Sequence, residues 1–161
     1  MKNMTEVATR CFESPLGNIY LEARNNKVVF LTMGGPKVAD AGQASVLDLA
    51  QQQLTDYFEG KSKTLNFAVE VSGTEFQRAV WQQIAEIPFG QTKTYGEIAE
   101  AIGRPKAVRA VGGAVGANPV PLVIGCHRVL GAAGKITGYS GGDGLPTKRW
   151  LLTLEGLKAK E

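Results

Sequence analysis

The sequence predicts an α+β protein in two subdomains, residues 1–73 and 74–161. Three observations carry that reading. Up to residue 73 the apolar residues alternate in short strands around one amphipathic helix. From Thr74 onward they recur at helical spacing, and the helix starts carry capping signals. The charge changes at the same place: residues 1–73 carry 7 Lys/Arg against 8 Asp/Glu, and residues 74–161 carry 11 against 7. The excess of cations on the second half suits a polyanionic partner, and equally a solvated basic face.

A chain of 161 residues can bury one good core or two small ones, and 43% hydrophobic with 20% charged residues is an ordinary globular balance. No apolar run approaches the roughly 18 residues that span a bilayer, so no membrane partner is expected. "MKNMTEVATR" lacks the apolar stretch of a signal peptide, and a cytoplasmic location is expected. In that reducing compartment Cys11 and Cys126 are expected as free thiols. Two cysteines and one histidine cannot fill a structural zinc site, so neither metal nor cofactor is expected.

"GNIYLEARNNKVVFLTM" reads as a β-hairpin. Ile19, Leu21 and Ala23 alternate with Tyr20, Glu22 and Arg24, and Asn25-Asn26 supplies the turn. "ASVLDLAQQQLTDYFEG" reads as a helix with Leu47, Ala50, Leu54 and Phe58 on one face, stopped at Gly60. "LNFAVEVSG" reads as another short strand, with Leu65, Phe67, Val69 and Val71 alternating. Nothing in this half suggests chemistry.

In the second half "TEFQ" is a capping-box pattern, Thr74 with Gln77, and opens a core helix through Phe76, Val80, Ile84 and Ile87. "TYGE" repeats the pattern with Thr94 and Glu97 and opens a short helix through Ile98, Ala99 and Ile102. A tight "GRP" turn leads into "KAVRAVGGAVGA", so the pair reads as a helix-turn-helix. The second helix holds Gly112, Gly113 and Gly116, although an interior glycine costs about 0.5–1 kcal/mol against alanine. Such a thin helix lets either nucleic acid or a neighbouring helix approach its backbone. Beyond Lys106 and Arg109 it has no long side chains for base edges, which favours backbone or minor-groove contact.

Asn118-Pro119 ends that helix, and Leu122, Val123 and Ile124 read as a buried strand leading to Cys126. Cys126 stands directly before His127, the chain's one histidine. Neighbours on an extended segment point to opposite faces, so the pair would act through a bridging water or a turn. Glu155, at the end of the closing helix "TKRWLLTLEG" with Trp150, Leu151 and Leu154 facing the core, is the best-placed carboxylate to orient the histidine. The intervening loop, with Gly131, Gly134, Gly138, Gly141, Gly142 and Gly144, could close over a ligand or simply flex. On these residues alone Cys126 is a candidate nucleophile beside the reading of an inert core thiol.

The stretch from "TEFQRAVWQQIAEIPFGQTKTYGEIAEAIGRPKAVRAVGGAVGANPVPLVIGCHRVLG" through "KITGYSGG" and "KRWLLTLEG" resembles the O6-alkylguanine-DNA alkyltransferases, the methylated-DNA–protein-cysteine methyltransferases. "SPLGNIYLEA" and "LTDYFEG" extend the likeness toward the start. The resemblance implies a small N-terminal mixed α/β subdomain with an RNase H-like sheet, then a winged-helix-like subdomain with a helix-turn-helix set in the minor groove of duplex DNA. It implies a monomer that flips an O6-alkylguanine, or an O4-alkylthymine, and moves the alkyl group irreversibly to a cysteine. On that resemblance Cys126 is the acceptor, His127 its base through a water, Glu155 the carboxylate behind the histidine, and Asn118 the brace of the active-site turn. Tyr95 helps turn the phosphate and donates to the purine, and Arg109 fills the gap left in the stack. Val129, Tyr139 and Ser140 line the guanine pocket with Cys126. Lys148 lies near the thiol, and the Gly112–Gly113 backbone, Lys106 and Arg128 face the DNA. The thiol is expected to have a depressed pKa. The family usually carries proline where this chain has Gly125, and "DGLPT" lengthens the connection before Lys148. Two rivals remain at this stage: an alkyltransferase-like lesion binder, against which Cys126 speaks, and a thiol hydrolase, which leaves the helix-turn-helix unexplained.

Overall fold

Asn25 and Asn26 both take left-handed backbone, φ 51° and 61°, the conformation a two-residue hairpin turn requires. β2 (Gly17–Arg24) therefore folds straight back on β3 (Lys27–Gly35). A computed structural model describes residues 7–157 and shows an additional strand, β1 (Val7–Ser14), that the alternation did not announce. β1 pairs antiparallel with β2 from Val7↔Arg24 to Ser14↔Gly17, so the sheet order is β1-β2-β3. Its inner face carries Ala8, Ile19, Leu21, Ala23, Val28, Leu31 and Met33, all buried. Helix α1 (Ser45–Phe58) packs on this sheet through Leu47, Ala50, Leu54 and Phe58, the face read from the sequence. Each large side chain so buried contributes about 1.5–3 kcal/mol.

The strand expected over "LNFAVEVSG" shrinks to a single parallel bridge, Val28↔Val69. The reason is local. The Gln53 side chain of α1 accepts from the Asn66 and Phe67 amides, at 2.9 and 3.2 Å, so these donors bind the helix instead of a strand ladder.

The chain divides into two compact units between Val71 and Ser72. In the second, α2 (Glu75–Ala85) opens with the reciprocal Thr74–Gln77 capping box, and α3 (Tyr95–Ala101) with the Thr94–Glu97 one. α2 stops two residues before Ile87, which is buried just beyond it. Gly103, two residues past α3, stops the helix: its φ of 77° lets its amide bond Glu100 O while Arg104 N reaches Ala99 O. Residues 102–107 then lead into α4 (Val108–Gly116), a longer link than the expected tight turn. α2, α3 and α4 pack together around Val80, Trp81, Ile84, Ile98, Ala99, Val111 and Ala114. The Trp81 indole donates to Ala114 O at 2.8 Å, tying α2 to the end of α4.

A short parallel pairing, β4 (Lys93–Thr94) with β5 (Val129–Leu130), brings the segment after Cys126 beside the start of α3. α5 (Leu145–Leu154) closes the unit. Its buried face is Thr147, Lys148, Leu151 and Leu152, while Trp150 and Leu154, expected inside, are only half-buried. Polar Lys148 and Glu155 occupy the inner face because they serve the site described next. Among the described residues no helix is long and apolar enough to cross a membrane.

Candidate active site

The expected strand over 122–124 is a turn. Leu122 has φ 80°, left-handed backbone that strains a residue with a branched side chain. Asn118 braces the turn: its Oδ1 accepts from Val120 N at 3.0 Å and its Nδ2 donates to Ile124 O at 2.7 Å. The same carbonyl accepts from Cys126 N at 2.7 Å, closing an inverse γ-turn about Gly125 (φ −72°, ψ 64°). Cys126–Arg128 then form one 3-10 turn. Successive side chains on such a turn diverge by about 120°, so Cys126 and His127 are not on opposite faces of a strand.

Cys126 is 6% exposed. It lies at a cleft of about 340 Å³ whose walls come from Tyr95 at the start of α3, Gly112, Val115 and Gly116 of α4, and Gly138, Tyr139 and Ser140 of the glycine-rich loop. Burial pushes the thiol's pKa up, and this outweighs hydrogen bonds from Asn118 and Tyr139 and the charge of Lys148, which favour the thiolate. The depressed pKa expected from the sequence is therefore corrected: the buried sulfur is held as a neutral thiol.

His127 is wholly buried, and its Nε2 lies 2.6 Å from Glu155 Oε2. Burial lowers the histidine pKa, against the opposing pull of Glu155. Glu155 sits at the C-cap of α5, positioned by Gly156 (φ 81°), whose amide returns to Thr153 O. Burial alone would raise its carboxyl, but hydrogen bonds from His127, Arg128 and Gly90 N hold it well below the usual carboxylate range. Because Glu155 is ionised, Nε2 is assigned as the protonated nitrogen of a neutral imidazole. Nδ1 is buried with no hydrogen-bond partner among the described residues, which makes it an open proton acceptor.

Arg128, expected to face DNA, is 7% exposed. Its Nε and Nη2 donate to the two Glu155 oxygens, both at 2.9 Å, and its Nη1 donates to Ile87 O at 2.9 Å. The carboxylate draws the guanidinium inward, since a buried Glu155 needs a countercharge. Neither Arg128's role nor the Ile87 and Gly90 backbone contacts were visible from the sequence. Gly90 (φ 82°) lies in the turn that Gln91 N closes on Pro88 O at 3.1 Å.

Lys148 is also fully buried. Its ammonium donates to Val129 O at 2.6 Å, Thr137 O at 2.8 Å and Gly138 O at 3.4 Å. It thus fastens the glycine-rich loop, and Ser140 adds a bond to Gly116 O at 3.2 Å. The carbonyl of Val129, a residue the resemblance assigns to the guanine pocket, is thus one of the acceptors that hold Lys148. Burial pushes the lysine pKa down to about 8, partly offset by Cys126. An unfolded lysine titrates near 10.4, so between about pH 8 and 10.4 the unfolded chain binds the extra proton. This group therefore makes folding more favourable as pH rises through that window. Lys148→Met is expected to flatten that rise in urea melts, and to lower stability at pH 7 by about 1–3 kcal/mol through the orphaned carbonyls.

On α4, Val111, Ala114 and Val115 face inward, while Arg109 and Gly113 are exposed and Gly112 is half-buried. A Cβ added at Gly112, Gly113 or Gly116 would meet nothing within 4 Å. Among the described residues no neighbouring helix packs on the backbone at these three positions. Lys106 is exposed in the link before α4.

Fold and site together define a helix-turn-helix protein that presents one buried thiol, backed by a histidine and a carboxylate, to whatever lies against α4. The model of the 6-O-methylguanine DNA methyltransferase DNA-binding domain matches residues 75–157, and that of the family's ribonuclease-like domain matches residues 7–71. A methylated-DNA–protein-cysteine methyltransferase of Methanosarcina acetivorans is 44% identical over 151 residues, covering 90% of this chain and 96% of its own. Another, of Mycolicibacterium paratuberculosis, is 42% identical over 151 residues, covering 91% and 90%. The crystal structure of Mycobacterium tuberculosis OGT in complex with DNA matches with a TM-score of 0.83 at 40% identity, over 94% of each chain. The chain belongs to the 6-O-methylguanine DNA methyltransferase family.

Proposed function

We propose that this chain repairs DNA by moving an alkyl group from O6 of a flipped-out guanine to Cys126 Sγ, once per molecule. The observation that carries the reading is the buried thiol at the cleft beside α4, next in sequence to His127, whose Nδ1 is buried without a hydrogen-bond partner among the described residues. A cleft of about 340 Å³ is at the small end of ligand sites and suits a single base more than a peptide. Chemistry on a base requires its extrusion from the stack, and the bare backbone of α4 allows the close approach that extrusion needs.

The step balances as follows. The thiol proton passes through a water to His127 Nδ1, and Glu155 stabilises the imidazolium. Sγ attacks the alkyl carbon, the S–C bond forms, and the C–O6 bond breaks. The leaving guanine keeps the electron pair and takes up one proton at N1, and the imidazolium gives its extra proton back through solvent, so the net exchange is the thiol proton for the alkyl group. Tyr95 and the Ser140 amide are suited to donate to the purine as charge develops. Asn118 and Tyr139 favour the thiolate through the hydrogen bonds already described. Because the thioether is stable, no turnover follows.

The partner is duplex DNA carrying O6-alkylguanine, or O4-alkylthymine, entered from the minor groove by a cytoplasmic monomer. Lys106 would contact phosphate, the Gly112–Gly113 backbone would lie close to the duplex, and Arg109 would fill the vacated stack. Arg109→Ala is expected to slow repair in duplex DNA by about 10-fold or more, the scale of an unrepaid unstacking cost of a few kcal/mol. Reaction with free O6-benzylguanine should be little changed. Equal losses on both substrates would remove the finger role.

The testing experiment is intact-protein mass after incubation with an O6-methylguanine duplex, followed by peptide mapping. One methyl per molecule on Cys126, with no further turnover, is expected. Unmodified protein that still retains the lesion DNA would reduce the chain to a recognition factor.

A further inference from the structure

Arg128 takes no part in the transfer step, yet it is among the most constrained side chains of the site. It is bound to both Glu155 oxygens and to Ile87 O, and its guanidinium lies 6.0 Å from the centre of the Phe89 ring. It also lies directly over Gly125. A Cβ at position 125 would stand 3.0 Å from Nη1 and 3.3 Å from both Cδ and Cζ. Gly125 has φ −72°, a backbone any residue can adopt. The backbone at Gly125 would thus accept a side chain, but one would press on the guanidinium and displace it by a few tenths of an ångström.

The charges around His127 give this packing a consequence. Burial is the largest influence against charging the ring; Glu155 at Nε2 favours the charge, and the two buried cations Arg128 and Lys148 oppose it from the 3-10 turn and from α5, with the Cys126 thiol next in sequence. A buried carboxylate with no cation of its own would draw a proton onto the imidazole and form a His⁺–Glu⁻ pair. Nδ1 would then carry a hydrogen and could accept nothing from the thiol. A guanidinium already forked onto Glu155 removes that incentive and also fixes the plane of the carboxylate.

We propose that Arg128 is a positioning residue that keeps His127 neutral and proton-accepting by compensating Glu155, and that Gly125 provides the space in which its guanidinium sits. The proposal rests on the alkyl-transfer reading only for what the base is used for.

The chain's single histidine makes the test unambiguous. Nitrogen NMR of the imidazole, titrated in the absence of DNA, reads the midpoint directly. In the unsubstituted protein the ring is expected to stay neutral to below the ordinary value of about 6.5. Arg128→Met should raise the midpoint by about 1 unit or more, and Arg128→Lys should restore part of that shift. Gly125→Ala should move it the same way by less, and should add nothing in the Arg128→Met background. The acid limb of the single-turnover rate profile should move with each midpoint. Should Arg128→Met fail to fold, Arg128→Lys and Gly125→Ala carry the same test. An unchanged midpoint in the folded variants, or an equal Gly125→Ala shift with and without Arg128, overturns the proposal. A protein that shows these shifts but transfers no alkyl group would instead overturn the function and leave the charge arrangement standing.

Discussion

Cys126→Ala is expected to transfer no alkyl group and still to hold alkylated duplex DNA. On the proposed mechanism the sulfur is the atom that forms the new bond, and the other polar side chains lining the cleft are the hydroxyls of Tyr95, Tyr139 and Ser140, weaker nucleophiles than a thiolate. Retention of binding is expected from where the parts proposed to face DNA lie. The bare backbone of α4, Arg109 and Tyr95 belong to α3 and α4, whose packing runs through Val111, Ala114 and the Trp81 bond to Ala114 O rather than through the thiol. Removing one buried sulfur leaves a small void, and the expected stability cost is about 1 kcal/mol. Cys126→Ser is the companion variant. It nearly keeps the volume but offers a hydroxyl, a far weaker nucleophile toward an alkyl carbon than a thiolate, so it too should be inert. The pair is read by methyl transfer in a single-turnover assay and by a gel shift on the same duplex. Transfer by the alanine variant would remove Cys126 as acceptor, and loss of binding by both would mean that the thiol turn also shapes the DNA surface.

Much of this fold is legible because local rules and tertiary packing agree. The Asn25-Asn26 turn and the two capping boxes are formed as the sequence indicates, each by residues within three positions of one another. What was not legible depends on distant partners. "LVIGC" has the composition of a buried strand, but Asn118 folds it into a turn by bonding Val120 and Ile124. β1 escapes notice because only Ala8 on it is fully buried, so its alternation is faint. At the site, adjacency pointed to Cys126 and His127, and the closing helix pointed to Glu155. Arg128 could not be read as buried, since its partners Glu155 and Ile87 are 27 and 41 residues away. Sequence shows which groups carry charge, and only the fold shows which charges neutralise one another.

The same network sets the largest stability effect expected in the molecule. Glu155 has a fully buried side chain and accepts from His127, Arg128 and the Gly90 amide. Glu155→Gln keeps the shape but leaves the Arg128 guanidinium buried without a countercharge, and breaking such a pair costs about 3–5 kcal/mol. Urea melts at pH 7 measure it directly. The pH dependence gives a second check. The folded carboxyl titrates well below its ordinary range, whereas the unfolded one titrates near 4.3. Its contribution is therefore fully present above that value and is lost as pH falls toward the folded pKa, because the unfolded chain then binds the extra proton. The stability gap between the unsubstituted protein and Glu155→Gln should accordingly be constant near neutrality and narrow as pH drops below about 4. Transfer should also slow by about 100-fold or more, the scale of a lost general base, since a glutamine neither fixes the His127 tautomer nor stabilises its imidazolium. A variant that kept both its stability and its rate would mean that the short His127–Glu155 contact carries neither fold nor chemistry.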